Sequence, residues 1–283
     1  MQVVFSECAP DYAHYIFPYA IWAIPDQDER PSQIFACGFL PAARDLSRYY
    51  MCRHIRVRLD RFVPSSENRR ILRKCSDISF RLMPRKDFHY DETWREFCKT
   101  YADIKWGKDI MTYERLDSLF ASQIVNHLLV YRDETEGQDV GVVTLYLEPP
   151  EMAYYYYAFY DLNYYRRNLG MYMMTTAVDY FAREGYRFVY LGTCYSRNAL
   201  YKTQFAGVEF WTGFRWSTDL AELKFLLERP TRFPDRHLLE TQEYLDRFYS
   251  GILDQVLSGR SVRWEVAAQR PPGGGDAPSG SSL

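Results

Sequence analysis

The sequence lacks three features that would each place the protein in a class at once. No apolar run approaches the roughly 20 residues that a membrane-spanning helix needs. The apolar N-terminus has no basic segment and is interrupted by Asp11 and His14, so we expect no signal peptide. The six cysteines contain no Cys-x-x-Cys pair, which predicts reduced thiols rather than a disulfide framework. Together these absences predict a cytoplasmic protein without a membrane partner.

A metal site is not predicted either. Cys8, Cys37 and Cys52 are the cysteines nearest the N-terminus, and their spacing is not that of the usual zinc ligands. We therefore expect no bound metal, with a zinc site built from these three cysteines as the alternative.

Positive charge is scarce overall but concentrated in one segment. The chain carries a formal net charge of −2. Residues 44–86 contain 13 arginines and lysines against four carboxylates, so this segment carries +9 and the remainder −11. Such asymmetry points to a face that binds a polyanion, because Arg and Lys supply most sequence-independent affinity for nucleic acid. The alternative is a solvated surface whose arginines pair with acidic residues elsewhere in the fold.

A strand and a helix are predicted inside this basic segment. Apolar and basic side chains alternate strictly over residues 54–59, which predicts a half-buried strand with one basic face. The residues of that face are His54, Arg56 and Arg58. After a turn at Pro64, Ser65 or Ser66 can cap a short helix that carries four further basic residues.

The rest of the chain predicts a mixed α/β fold. Strands are predicted over residues 127–132, 140–147, 152–160, 187–191 and 210–216. Helices are predicted from residue 93 for about ten residues and over 112–122, 164–184, 196–205, 218–228 and 234–257. Three strands, a long helix, a strand, a short helix and another strand form the order of an acyltransferase-type mixed sheet, not of a doubly wound fold. The Pro/Gly/Ser-rich residues 263–283 are expected to be disordered.

Three segments carry a resemblance to a known family. They are FVPSSENRR (62–70) preceded by CRHIRV (52–57), FYDLNY (159–164) followed by Leu169-Gly170, and YLG (190–192) followed by YKTQF (201–205). These segments resemble the F-x-P-S-x-x-x-R-R, Y-D-x-x-Y…L-G and Y-L-G…Y-K-x-Q-F signatures of arginyl- and leucyl-tRNA–protein transferases. The resemblance extends over about residues 38–216.

The resemblance implies a fold and an activity. The fold is a GNAT-like mixed sheet flanked by helices, with a basic, cysteine-containing unit (1–85), an acyltransferase domain (86–262) and a tail (263–283). The activity is transfer of arginine or leucine from charged tRNA to the N-terminal amine of acceptor proteins, those beginning with Asp or Glu, which marks them for N-degron degradation. The partners are then aminoacyl-tRNA and an acceptor protein or peptide, and no cofactor is needed. The stretch from Gly38 to Cys52 is shorter than in relatives of the family, which leaves the donated amino acid open.

Three residues are candidates for the chemistry, which is aminolysis of an ester. It requires a deprotonated amine, stabilisation of an oxyanion and a proton for the leaving ribose hydroxyl. Tyr201 resembles the general-acid Tyr of acetyltransferases, and Gln204 is a candidate to orient the amine or the oxyanion. Asp161, after a Tyr-rich strand, is a candidate to accept the amine proton or to bind the donor's amino group. The alternatives are a packing Tyr, a surface Gln and a helix-capping Asp.

Two further groups of candidates are binding residues. The predicted donor pocket comprises Tyr160, Arg167 and Gly170. The predicted tRNA contacts are Arg56, Arg58, Arg69, Arg70, Arg73 and Lys202. The segment from Arg167 half-matches the R-x-x-G-x-G/A pyrophosphate loop of acetyl-CoA-dependent relatives, but Tyr172 replaces the last small residue and is expected to crowd a phosphate there.

Two other functions stay open from the sequence. One is a coenzyme-A-dependent N-acyltransferase that acts on a small amine or peptide. The other is a non-enzymatic relative that binds N-termini or RNA.

Overall fold

The computed structural model describes residues 1–232 and 236–260, so the predicted tail lies outside the described residues, as does the start of the helix predicted over 234–257. The strands are β1 (Gln2–Glu7), β2 (Tyr19–Ile24), β3 (Phe39–Pro41), β4 (Tyr49–Met51), β5 (His54–Arg58), β6 (Ile78–Pro84), β7 (His127–Asp133), β8 (Gln138–Glu148), β9 (Met152–Tyr160), β10 (Phe188–Thr193), β11 (Val208–Trp211) and β12 (Trp216–Ser217). The α-helices are α1 (Pro31–Ala36), α2 (Ser66–Lys74), α3 (Glu92–Trp106), α4 (Tyr113–Phe120), α5 (Leu169–Arg183), α6 (Leu220–Arg232), α7 (Gln242–Tyr249) and α8 (Leu253–Ser258). Short 3-10 helices cover Leu59–Arg61, Arg85–Asp87, Leu162–Arg167, Arg197–Thr203 and Leu238–Glu240.

Two sheets organise the described part of the chain. A small antiparallel sheet has the order β1-β2-β4-β3, and a large sheet has the order β12-β11-β5-β10-β9-β8-β7-β6. All neighbours in the large sheet are antiparallel except β9 and β10, which run parallel. The predicted α/β class, a mixed sheet flanked by helices in acyltransferase order, is confirmed.

The large sheet is packed on both faces. On one face α5, α6 and α7 cover a core that contains Ile55, Val143 and Val189. On the other face α1, α3, α4 and the small sheet cover a second core that contains Tyr190 and Phe159. Two-sided burial explains the high aromatic content, because the flat rings of β9 and its neighbours fill both layers.

The strand β5 lies in the middle of the large sheet. It pairs antiparallel with β10 on one side and with β11 on the other. Its predicted solvent face is largely covered, because His54 is fully buried and Arg56 is 8% exposed, and only Arg58 at the end of the strand stays one-third exposed. The prediction of a half-buried strand with a basic stripe is therefore wrong. Strict alternation shows that the two faces of the strand differ in chemistry, but it does not show that the polar face is exposed to solvent.

The predicted units also meet in this sheet. β5 and β6 precede residue 85, yet both lie in the same sheet as β7 to β12. The four-stranded sheet, which ends at Met51, is the part of the first 85 residues that forms a sheet of its own. The predicted units 1–85 and 86–262 thus share one sheet.

Several predicted boundaries move for local reasons. The helix expected over 164–184 is an α-helix only from Leu169, because Asn168 adopts a left-handed conformation (φ 63°) that ends the preceding 3-10 helix. The helix expected from residue 93 begins at Glu92, because the Asp91 side chain accepts from the Trp94 N–H and caps it. The strand expected over 210–216 is a hairpin that turns at Gly213 (φ 114°).

The C-terminal helix is interrupted as well. Ser250 (φ 52°) and Gly251 (φ 72°) separate α7 from α8, so the helix predicted to reach residue 257 is two short helices. Among the helices of the described ranges, none combines the length and apolar character that crossing a bilayer requires.

Candidate active site

The two parallel strands of the large sheet diverge. Residues 152–154 of β9 pair with residues 188–190 of β10, and the pairing stops there although β9 continues to Tyr160. Beyond Tyr190 the pairing of β10 with β5 shifts register, and Gly192 adopts φ 80°. We refer to the space between residues 155–160 and 191–194 as the β9–β10 cleft.

Four tyrosines surround this cleft. The rings of Tyr101 and Tyr160 lie 4.9 Å apart at an angle of 56°. The Tyr155 hydroxyl is buried with no hydrogen-bond partner among the described residues. Burial raises the pKa of Tyr155 well above its usual value, and its neighbours Tyr201, Tyr101 and Tyr160 raise it further. The cleft therefore presents neutral phenols, which donate protons but carry no charge.

Tyr201 lies on the 3-10 helix Arg197–Thr203 and is the most accessible of the four, with 47% of the residue exposed. Burial of the remainder raises the pKa of Tyr201, and Tyr160 and Cys194 raise it further. A tyrosine that keeps its proton and still reaches solvent can give that proton to a leaving oxygen. The geometry is compatible with the predicted general acid.

The two neighbours of Tyr201 are held by local hydrogen bonds. The Gln204 Nε2 donates to the Tyr201 carbonyl oxygen at 2.8 Å and approaches the Met171 Sδ at 3.2 Å. The Lys202 Nζ donates to the Thr193 carbonyl oxygen at 2.9 Å, at the end of β10. Burial lowers the pKa of Lys202. Lys202 thus points inward to the wall of the β9–β10 cleft and not outward to a tRNA backbone.

Asp161 is placed apart from Tyr201 and Gln204. It precedes the 3-10 helix Leu162–Arg167, and its carboxylate accepts from the Asn163 N–H at 2.9 Å. It lines a shallow depression shared with Asp133 and Arg167, in which neither Tyr201 nor Gln204 takes part. The structure does not bring the three predicted catalytic residues together, and it gives Asp161 the capping role that was the alternative.

The predicted donor pocket is already filled. The Arg167 guanidinium pairs with Asp77 and lies 3.8 Å from Asp133. A Cβ at Gly170 would come within 2.8 Å of the Tyr160 ring, so this glycine permits close packing of α5 on β9. Tyr172 is 6% exposed and donates its hydroxyl to the Ile78 carbonyl oxygen. The expectation that Tyr172 crowds a phosphate is wrong, because its ring points into the core.

Arg56 cannot contact tRNA as predicted. Its guanidinium lies 2.7 Å from a Glu209 carboxylate oxygen and is sandwiched between the Trp216 ring (3.8 Å) and the Phe188 ring (4.2 Å). A buried guanidinium needs a carboxylate partner and ring faces to offset its lost hydration. Arg56 therefore holds the middle of the large sheet together.

The remaining predicted tRNA contacts lie at the surface. Arg69, Arg70 and Arg73 are exposed on α2, which Ser65 caps through the Asn68 N–H at 3.1 Å. Arg70 pairs with Glu67 on the same helix at 2.6 Å, an exposed ion pair that phosphates can replace at little cost. Arg58 is one-third exposed and pairs with Asp60 at 2.8 Å.

Helix α2 packs against α5, and the Lys74 Nζ donates to the Arg166 carbonyl oxygen at 2.6 Å. The exposed arginines of α2 are thereby fixed to the body of the large sheet rather than to a loop.

The cysteines do not assemble a metal site among the described residues. Cys8 is exposed, Cys37 is partly buried and Cys52 is buried. Within the two described ranges no group of three or more possible ligands lies together. The Cys52 Sγ lies 3.7 Å from the His54 Nδ1, and burial raises the pKa of Cys52 to about 12, which keeps it a thiol. The absence of a metal stays a prediction.

One feature has no counterpart in the sequence predictions. A cavity of about 420 Å³ lies between the small sheet and the large sheet and is lined by Trp22, Tyr50, Arg53, Tyr195 and Trp211 among others. We refer to it as the Arg53 pocket. Its walls come from segments as far apart in the chain as Tyr19 and Gly213, and no local pattern signals such a meeting.

Comparison with known proteins gives one consistent group of relatives. No protein-family model matches the chain. An aspartate/glutamate leucyltransferase from Pseudomonas putida is 28% identical over 173 residues, which cover 59% of this chain and 71% of that protein. A protein of the same name from Saccharophagus degradans is 28% identical over 199 residues, which cover 66% of this chain and 82% of that protein.

Solved structures are similar only in part. The L-PGS structure from Bacillus licheniformis covers 50% of this chain and 46% of its own at 14% identity, with a TM-score of 0.39. A GCN5-related glucosamine N-acetyltransferase region of a fungal β-N-acetylglucosaminidase covers 66% of this chain and 23% of its own at 15% identity, with a TM-score of 0.38. Likenesses this weak say nothing about activity. The chain is similar in sequence to the aspartate/glutamate leucyltransferases, which confirms the resemblance to the aminoacyl-tRNA–protein transferase family that its three motifs indicate.

Proposed function

We propose that this protein is a cytoplasmic aminoacyltransferase that moves leucine or arginine from charged tRNA to the N-terminal amine of proteins beginning with Asp or Glu, in an N-degron route. The name of its relatives supports the acceptor class and, of the two amino acids, favours leucine. The observation that carries the proposal is Tyr201, a neutral and accessible phenol at the diverging strands.

The proposed reaction is direct aminolysis. The acceptor amine attacks the ester carbonyl carbon, the carbon–oxygen bond to the ribose breaks, and an amide forms. The ribose oxygen leaves with a proton from Tyr201, and the amine nitrogen gives up a proton, so protons balance through solvent. The Gln204 amide is close enough to Tyr201 to orient the reacting groups, and the Lys202 ammonium at the end of β10 can stabilise the oxyanion. Asp161 takes no part in this scheme.

The tRNA is proposed to bind along α2. Arg69, Arg70 and Arg73 are exposed together on this helix. Arg58 is the last residue of β5, the strand that precedes the helix in the chain. Phosphate contacts of this kind give affinity that falls steeply with salt.

The coenzyme-A alternative finds no support in the structure. Its phosphate loop would use Arg167 and Gly170 at the start of α5. Arg167 is already engaged by Asp77, and Tyr160 fills the space over Gly170. A pyrophosphate would have to displace both.

The variant Tyr201→Phe tests the proposal. It removes the hydroxyl and keeps the ring, so we expect kcat for transfer of labelled leucine or arginine to an Asp-initiated peptide to fall by about 10²-fold or more. Tyr12→Phe is the matched control, since Tyr12 is 73% exposed on the β1–β2 hairpin and is not among the residues that line the Arg53 pocket. Transfer by Tyr201→Phe at the wild-type rate would show that Tyr201 is not the acid.

A further inference from the structure

Arg53 lines the Arg53 pocket, and its guanidinium forms no ion pair with any residue that the structure describes. The Arg53 Nη1 donates to the Leu226 carbonyl oxygen at 3.2 Å, and its carbon Cζ lies 5.2 Å from the Tyr195 ring centre. Its Nε is buried and has no hydrogen-bond partner among the described residues. Burial lowers the pKa of Arg53, and the groups with the largest electrostatic effect on it are Tyr195, Cys194, Arg229 and Tyr244, none of which is a carboxylate. A buried cation of this kind is costly unless an anion completes it.

A second arginine strengthens the positive field. Arg229 of α6 acts electrostatically on Arg53, and its Nε is also buried without a partner among the described residues. Its Nη2 donates to the Arg236 carbonyl oxygen, which is a neutral acceptor. Two guanidinium groups with no ion pair to an acid among residues 1–232 and 236–260 favour a ligand that brings negative charge.

The pocket adjoins the β9–β10 cleft. The Cys194 N–H donates to the Arg53 carbonyl oxygen at 2.9 Å, and the Arg53 N–H donates to the Tyr195 hydroxyl at 2.7 Å. The pocket and the cleft therefore lie against the same segment, 193–195, which also accepts the Lys202 ammonium at Thr193.

We propose that the Arg53 pocket binds the side-chain carboxylate of the acceptor's N-terminal Asp or Glu and so places the α-amine at the β9–β10 cleft. The inference rests on the proposed function. A carboxylate fits the fork of one guanidinium by two parallel hydrogen bonds. The aromatic walls at Trp22, Tyr50 and Trp211 suit the apolar stem and the next peptide unit better than a chain of phosphates.

The test compares two peptides that differ by one charge. Binding of an Asp-initiated and an Asn-initiated peptide is measured by fluorescence anisotropy without tRNA, for the wild type, Arg53→Met, Arg53→Lys and the control Arg183→Met. Arg183 is exposed on α5 and pairs with Asp179. We expect the wild type and Arg183→Met to prefer the Asp peptide by at least about tenfold, as for a charged hydrogen bond. Arg53→Met should bind the two peptides equally, and Arg53→Lys should keep part of the preference.

Each outcome is decisive. A wild type that does not distinguish the peptides, or an Arg53→Met variant that still does, overturns the proposal. If Arg53→Met is unfolded by circular dichroism, the wild-type ratio and Arg53→Lys decide. If Arg53→Met loses tRNA binding while the peptide ratio persists, Arg53 holds a phosphate and the proposal is wrong. Because no transfer is measured, a preference lost in Arg53→Met supports the pocket even if leucine and arginine transfer fail, and transfer with an unchanged ratio refutes the pocket alone.

Discussion

At the scale of single residues, Arg53, His54 and Arg56 are neighbours in the sequence but lie in different environments. Arg56 and His54 are buried under Trp216, with ring distances of 3.8 Å and 5.0 Å, whereas Arg53 opens into a cavity. Sequence alternation could not make this distinction. The partners, Glu209 and Trp216, follow some 150 residues later in the chain, and only the insertion of β5 between β10 and β11 brings them together.

The burial of His54 predicts how stability depends on pH. Its pKa is lowered by burial from about 6.5 to about 3, and its Nδ1 donates to the Cys52 carbonyl oxygen at 2.9 Å. Well above pH 6.5 the ring is neutral in both the folded and the unfolded state, so it does not make the free energy of unfolding depend on pH. As pH falls below 6.5 the unfolded chain takes up a proton that the folded chain refuses. The free energy of unfolding should therefore decrease by about 1.4 kcal/mol between pH 7.5 and 5.5 from this group alone.

Urea denaturation at the two pH values checks the His54 effect. His54→Gln should show a smaller decrease than the wild type by about that amount, and His89→Gln, at an exposed position, should match the wild type. An unchanged decrease in His54→Gln would contradict the burial of a neutral ring.

At the scale of elements, α2 joins a local signal to the proposed tRNA surface. The Ser65 hydroxyl accepts from the Asn68 N–H, and the Asn68 side chain accepts from the Ser65 N–H at 3.0 Å. Ser65→Ala should destabilise the protein by about 1 kcal/mol. Ser66→Ala is the matched control, since Ser66 is the first residue of the helix and not its cap. Thermal unfolding measures both, and an equal loss in the two variants would contradict the assignment of the cap.

Elements with local signals were predicted well. The three strands from 127 to 160 and helix α4, which Thr112 caps, are found within two residues of their predicted bounds. Elements that depend on a single unusual backbone angle were misjudged. Asn168, Gly213 and Ser250 take positive φ values and divide elements that looked continuous by composition. Sequence periodicity does not show where one residue adopts a left-handed backbone conformation, because the spacing of apolar residues on either side of it is unchanged.

At the scale of the whole molecule, the order of the acyltransferase-type sheet followed from the sequence, but the assembly of the site did not. Tyr201 and Gln204 lie within four residues of each other, so one motif could place both. Asp161 and Arg167 were predicted to join them and instead form a separate depression with Asp133. The Arg53 pocket escaped prediction because its walls come from both sheets.

The measurement that tests the central claim most directly is transfer of labelled leucine or arginine from charged tRNA to an Asp-initiated peptide at several salt concentrations. It compares the wild type with Arg69→Ala/Arg70→Ala and with the control Arg183→Ala/Arg187→Ala, two exposed arginines distant from α2 in sequence. We predict transfer by the wild type and the control, and a loss in the α2 variant, with a log–log salt slope of tRNA affinity shallower by about 1.5. Failure of the wild type to transfer either amino acid, or transfer by the α2 variant at the wild-type rate and salt slope, would contradict tRNA-dependent transfer through this surface.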